Sequence, residues 1–212
     1  MRALKALRRP GGQEHAVLCL LEIRYIINRT QLLLLHSKSE TDYDAYLASY
    51  RAVVDLAAEA SASSGDGGPA RPTPFYTNES AVELGFGTLL YFVVSKCRFL
   101  GVRVAALKLM GQLARPRYNV WAKPITPAVA RRIIEIEHQI SLADLDTGDW
   151  VDDGELPPEE RRVVSVDFHW ANDVNCSGPL RQVSFLSRDA GSGKIIASDE
   201  WLNLGDCPEM SP

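Results

Sequence analysis

Residues 83–137 read ELGFGTLLYFVVSKCRFLGVRVAALKLMGQLARPRYNVWAKPITPAVARRIIEIE, and their apolar positions recur at helical spacing in three successive segments. The first segment predicts a helix from about residue 80 to 97, ending near Arg98, where Lys96 and Arg98 suit the negative end of the helix dipole. Gly101 is read as the break before a short helix in which Val104, Leu107 and Met110 or Gly111 share a face. Pro116 ends that segment, and Trp121 falls in the following loop. Thr126-Pro127 then offers a helix start with proline in the first turn. Val129, Ile133, Ile136 and Ile140 supply its buried stripe, with Arg131 and Glu135 paired four residues apart on the outside. Short antiparallel helices joined in this way predict a compact helical layer.

Working outward, residues 13–36 form a long helix whose VLCLLEIRYII and LLLL runs are nearly all apolar, which predicts a central element covered on most sides. Arg24, Asn28 and Gln31 interrupt it at spacings of four and three, so they share one polar stripe. That stripe reads as a solvated edge or as the lining of a ligand cavity. Thr41, with Asp44 three residues on, opens the next helix in the manner of a capping box. Its apolar face holds Tyr43, Tyr46, Leu47, Tyr50, Val53, Val54 and Ala57. Three tyrosines on one face suit either a core stripe or an aromatic ligand. Residues 1–9 read as the end of a further helix, stopped by Pro10-Gly11-Gly12 and suiting a chain cut from a longer ancestor.

Past residue 143 the pattern changes. The stretch 144–160 carries eight acidic residues and no Lys or Arg. After it RRVVSVDFHW and RQVSFLSRD alternate with period two, and KIIASDEWLNL follows the glycine-bearing turn Ala190-Gly191-Ser192-Gly193. The expected fold is therefore mainly α, an antiparallel helical layer with a small C-terminal antiparallel β meander. The divisions are a helical domain over 1–143 with a flexible Gly-, Ser- and Pro-rich linker at 61–74, an acidic linker at 144–161, the meander over 162–204 packed on the helices, and a tail at 205–212.

The 212 residues, 46% hydrophobic and 24% charged, suffice for one real core, and the net charge of −4 gives no general attraction to nucleic acid. Locally, residues 96–132 hold nine basic residues and no Asp or Glu. Either the acidic linker screens them, or they form a basic interaction face, with Arg98, Arg103, Arg115 and Arg117 as its candidates. The four cysteines, Cys19, Cys97, Cys176 and Cys207, never occur as C-x-x-C, and His15, His36, His138 and His169 never pair at i, i+4 with one another. No metal site and no cofactor are expected from them. Three Asn-x-Ser/Thr matches, at Asn28, Asn78 and Asn175, lie in a sequence without a secretory leader. No run approaches the roughly 18 apolar residues of a membrane span, so no membrane partner is expected.

Catalytic signatures are missing. Gly191-Ser192-Gly193-Lys194 is not a phosphate loop, because Arg188 and Ile195 stand where glycine and Ser or Thr are needed. Cys97 lies between Lys96 and Arg98, but neighbours on a helix point apart, and a packed thiol is favoured over a nucleophile. No catalytic residue is assigned.

Four stretches nonetheless look familiar in order: LLYFVVSKCR at 89–98, RVAALKLM at 103–110, ARPRYNVW at 114–121 and AVARRIIEIE at 128–137. Together with DAYLASYRAVVDLA at 44–57, RRVVSVDF at 161–168 and DEWLNL at 199–204, they resemble the C-terminal regulatory region of fungal zinc-cluster transcription factors. Thr88-Leu89 replaces the family's usual Pro-Pro, and the N-terminal six-cysteine DNA-binding cluster is missing from this sequence. The resemblance implies a transcription-regulatory, non-enzymatic interaction module, located in the nucleus or otherwise the cytoplasm. It would bind protein partners such as a full-length family member, reach DNA only indirectly, and need zinc only if an upstream zinc cluster exists. A small-molecule effector is a further implied partner. The alternative is a small-molecule-binding protein or biosynthetic enzyme on the same helical scaffold. Its pocket would be sought first at Arg24, Asn28, Tyr43 and Tyr50. A third class, non-specific nucleic-acid binding by the basic segment, predicts steep salt dependence and is opposed by the net negative charge.

Overall fold

The computed structural model describes residues 13–63, 85–113, 125–143, 155–169 and 180–203. Among the described residues five α-helices, α1 (Gln13–Leu33), α2 (Leu47–Ser63), α3 (Phe86–Lys96), α4 (Leu100–Leu113) and α5 (Ile125–His138), precede three strands, β1 (Val163–Phe168), β2 (Leu180–Arg188) and β3 (Ile195–Asn203). Short 3-10 helices at Glu40–Tyr46 and Glu159–Arg161 lead into α2 and β1. The fold is the expected helical layer with an antiparallel sheet in the order β1-β2-β3. The helix expected over 1–9 and Trp121 lie outside the described residues.

Helix α1 packs on α2, α3 on α4, and α5 lies across both α3 and α4. Cys19, Ile23 and Ile27 from α1 meet Tyr50, Val53 and Ala57 from α2 and Leu90, Val93 and Val94 from α3 in the main core. Burying an aliphatic side chain of this kind contributes about 1.5–3 kcal/mol. A second, smaller core forms where Val129 and Ile133 of α5 meet Val163 of β1 and Val183 and Phe185 of β2. Val163, Val183 and Phe185 of the sheet are thus hidden against α5, whereas Ile195, Ile196 and Trp201 of β3 are exposed. Tyr91 of α3 packs against both cores.

Several local readings change. Helix α1 is not covered on most sides: Leu21, Tyr25, Leu32 and Leu33 are exposed, as is Leu35 in the turn after it, because α2 and α3 occupy only its inner face. The 3-10 helix before α2 is capped by Ser39, whose hydroxyl accepts from the Thr41 N–H, and not by Thr41 with Asp44. The break between α3 and α4 falls at residues 97–99, while Gly101 lies inside the first turn of α4. Cys97 is extended there (φ −80°, ψ 133°), and its N–H closes α3 on the Val93 carbonyl at 2.8 Å.

At the β2–β3 turn Gly193 takes φ +67°, and its N–H donates to the Asp189 carbonyl at 2.9 Å. Ser192 adds two bonds to the Asp189 carboxylate, from its N–H at 2.7 Å and its hydroxyl at 2.8 Å. These bonds hold the Asp189 carboxyl below the ordinary range. The loop is thus a hairpin turn, as its glycines predicted.

Candidate functional site

The break after α3 turns two basic side chains inward. Arg98 leaves the extended residues at the end of α3, Arg103 lies one turn into α4, and both are fully buried. Between them stands Glu137, also fully buried, from the last turn of α5. Arg103 donates from Nη1 to Glu137 Oε2 at 2.6 Å and from Nε to the Val94 carbonyl at 2.8 Å. Arg98 donates from Nη2 to Glu137 Oε1 at 3.3 Å and to Glu40 Oε2 at 3.0 Å. Glu137 Oε1 also accepts the Val163 N–H at 2.7 Å, so one carboxylate ties α3, α4 and α5 to the start of β1.

Glu40 is the second junction. Its carboxylate accepts both contacts from Lys96 Nζ, at 2.8 and 2.9 Å, besides that from Arg98. Its carbonyl accepts from Arg162 Nη1 at 3.0 Å, and its N–H donates to Glu159 Oε1 at 3.0 Å. Arg162 in turn grips Asp44 with both terminal nitrogens at 2.8 Å. Glu159 Oε2 accepts from the Ser39 hydroxyl and the Thr41 N–H, seating a carboxylate on the first turn of the 3-10 helix. Lys96, Arg98, Arg103 and Arg162 are thus set against Glu40, Asp44 and Glu137, and Glu159 lies 4.0 Å from Arg188 at the edge of the cluster. Lys96 also lies 5.1 Å from the centre of the Tyr43 ring.

Burial sets the local acid–base properties. It lowers the Arg103 pKa, against the opposing pull of the Glu137 charge. His138, beside the cluster, is pushed down to about 4, first by burial and then by the positive charge of Arg103. Burial alone would raise Glu159, but its bonds from Glu40, Ser39 and Thr41 outweigh that and hold its carboxyl low. Tyr50 is raised, mainly by burial.

The basic-face reading is therefore corrected for two of its residues. Arg98 and Arg103 are interior, because Glu137 and Glu40 neutralise them where no surface partner reaches. Lys96 stands in the last turn of α3, as expected, while Arg98 lies beyond it, and both also serve these carboxylates. Arg115 and Arg117 lie outside the described residues. Arg98 and Arg103 are neutralised by Glu40 and Glu137, neither of them in the acidic stretch, of which residues 144–154 lie outside the described residues. Glu159, which is in it, docks on the 3-10 helix, so residues 155–161 are a packed segment.

The pocket candidates scatter in environment. Tyr50 is packed in the core, Tyr43 is half-buried edge-on to Phe92, Arg24 is half-buried, and Asn28 is exposed. A cavity of about 140 Å³ lies elsewhere, lined by Glu137, His138, Glu155, Leu156, Pro157, Pro158 and Arg161. Cys97 is a fully buried core thiol, as the packed reading required.

Sequence reasoning misses Glu40 and Glu137 as organising residues, although an acid among apolar neighbours, as in IIEIE, is a usable signal. It also passes over His15 and Cys19. A reading confined to histidine–histidine pairs overlooks H-x-x-x-C, which puts both side chains on one helix face.

The residues that meet in this cluster come largely from the stretches singled out for their resemblance, SKCR, RVAAL and IEIE. Comparison with known proteins agrees at a coarse level. The chain is 33% identical over 130 residues, 60% of its length, to the aspercryptin biosynthesis cluster-specific transcription regulator atnN of Emericella nidulans. The match spans only 20% of that regulator. No protein-family profile and no solved structure matches the chain. Among the described residues no helix is long and apolar enough to cross a membrane. The chain is thus distantly similar to a fungal transcription regulator, and its buried charge cluster is a structural junction.

Proposed function

We propose that this chain is a regulatory, protein-interacting module of a fungal zinc-cluster-type transcription regulator, working in the nucleus and without catalytic activity. The observation that carries the reading is the similarity to a cluster-specific transcription regulator over 60% of the chain. The charge junction supports it, since the segments that carry the resemblance are spent on holding helices and sheet together. Four cysteines fall short of a six-cysteine cluster. DNA contact is therefore assigned to whatever carries such a cluster, and zinc with it; this module acts on that carrier, with a small-molecule effector as a further input. The carrier-or-enzyme alternative calls for roughly 300–1,000 Å³ of mainly apolar space, and none of its candidate residues, Arg24, Asn28, Tyr43 and Tyr50, lines the cavity of about 140 Å³ beside Glu137.

The test is transcript profiling after deletion and after overexpression of the gene in its own host, with the tagged protein followed by microscopy. The expected result is nuclear signal and opposite changes in one restricted set of transcripts. An unchanged transcript profile with signal outside the nucleus would overturn the reading.

A further inference from the structure

Near the start of α1, His15 and Cys19 stand one turn apart, and both side chains are directed at the end of α2. His15 is 3% exposed and Cys19 is 0% exposed. His15 Nε2 lies 3.7 Å from Cys19 Sγ and 2.9 Å from Glu59 Oε1, and the three ligand atoms lie within 4.8 Å of one another. Glu59 reaches in from the solvent side, its side chain 44% exposed.

We propose that His15, Cys19 and Glu59 form a divalent transition-metal site, with zinc the best-fitting ion. Bonds of about 2.0–2.3 Å from imidazole, thiolate and carboxylate to one tetrahedral ion place the donor atoms roughly 3.3–3.6 Å apart. The spacing here approaches that range, so closure needs only small side-chain movements. The donor set mixes one soft sulfur, one imidazole and one hard oxygen, which suits a borderline ion such as Zn²⁺ better than Mg²⁺ or Ca²⁺. A water would complete the shell as the fourth ligand. Binding releases the Cys19 proton and cross-links α1 to α2 across their packed ends. The site uses no residue of the charge junction, and the inference stands independently of the proposed regulatory role.

Full-length protein, stripped with chelator and kept reduced, would be titrated with Co²⁺ and then Zn²⁺, with melting temperature measured in parallel. The expected result is one ion per chain, a near-ultraviolet thiolate-to-cobalt charge-transfer band displaced by zinc, and a rise in melting temperature with metal. Cys19→Ser should abolish the band. Glu59→Gln, at a half-exposed position that leaves the core untouched, should weaken binding by at least about tenfold, since even outer-shell partners of metal ligands carry that much. No charge-transfer band in the wild type, a band that survives Cys19→Ser, or unchanged affinity in Glu59→Gln would each overturn the site.

Discussion

Glu137 is the residue with the most dependants. It is fully buried and satisfies Arg98, Arg103 and the Val163 N–H at once. Arg98 Nη1 and Arg103 Nη2 already lack hydrogen-bond partners among the described residues. Neutralising the carboxylate would strand buried Arg103 and leave Arg98 with Glu40 alone. Glu137→Gln should therefore cost about 3–5 kcal/mol, the range for breaking a buried pair from one side. Arg131→Ala, which breaks only a partly exposed pair with Glu135 at 3.2 Å, should cost about 0.5 kcal/mol or less. Urea unfolding of both variants checks the contrast. His138 gives a separate pH signature. Its folded pKa of about 4 lies below the ordinary 6.5, so the unfolded chain takes up a proton that the folded one refuses. This contribution is intact above pH 6.5 and declines as pH falls toward 4. His138→Gln should flatten the stability profile in that window while leaving the steeper loss below about 4.5, where depressed carboxylates such as Glu159 protonate.

At the scale of elements, periodicity is legible wherever one face is apolar and the other wet. The Tyr50, Val53, Ala57 face of α2 and the period-two meander are where pattern places them, because burial selects side chains at the period of the backbone. The α3–α4 break lies a few residues before the position that pattern suggests. Gly101 has the character of a stop, yet a glycine in a first helical turn is tolerated, and the extended Cys97 that ends α3 has no signature of its own. The inward turn of Arg98 and Arg103 is hidden for a related reason. Charge reads locally along the chain, whereas their partners, Glu40 and Glu137, are 58 and 34 residues away. The hairpin offers a local check. Gly193 is left-handed (φ +67°) with open space where a methyl group would sit, so Gly193→Ala should cost about 1 kcal/mol from backbone strain alone. Gly191→Ala meets only Asp189 Oδ2 at 3.6 Å and should be nearly neutral. Denaturant midpoints should move for the first and not the second, with unchanged slopes.

For the whole molecule, the two cores are joined through polar links as well as through Tyr91. Glu137 bonds to β1, and Arg132 of α5 forks onto Glu200 of β3 at 2.6 and 3.0 Å. The sheet should therefore not melt independently of the helices. Native-state hydrogen exchange checks this: the amides of Val163–Phe168 and of α5 should share one opening free energy, and Glu137→Gln should lower both by the same amount. Protection of the strands that vanishes while α5 stays protected would contradict the coupling. That the meander leans on the helices is legible from its period-two pattern, which leaves one apolar face to be covered, but the polar links that couple the two are not, because Glu137 and Val163, like Arg132 and Glu200, are far apart in sequence.

The shared carboxylate also constrains how such a chain can change over generations. Glu137 cannot be altered alone without leaving Arg103 an uncompensated interior charge, nor Arg103 without weakening the hold on Glu137, whereas loss of Arg98 still leaves Arg103 paired with Glu137 and Lys96 with Glu40. Tolerated drift there should pass through paired replacement of Arg103 and Glu137, both becoming apolar together or both persisting. Among chains that share this architecture, those two positions should thus be inherited as a pair, and a lone exception would mark either a rearranged interior or a copy no longer held to its fold.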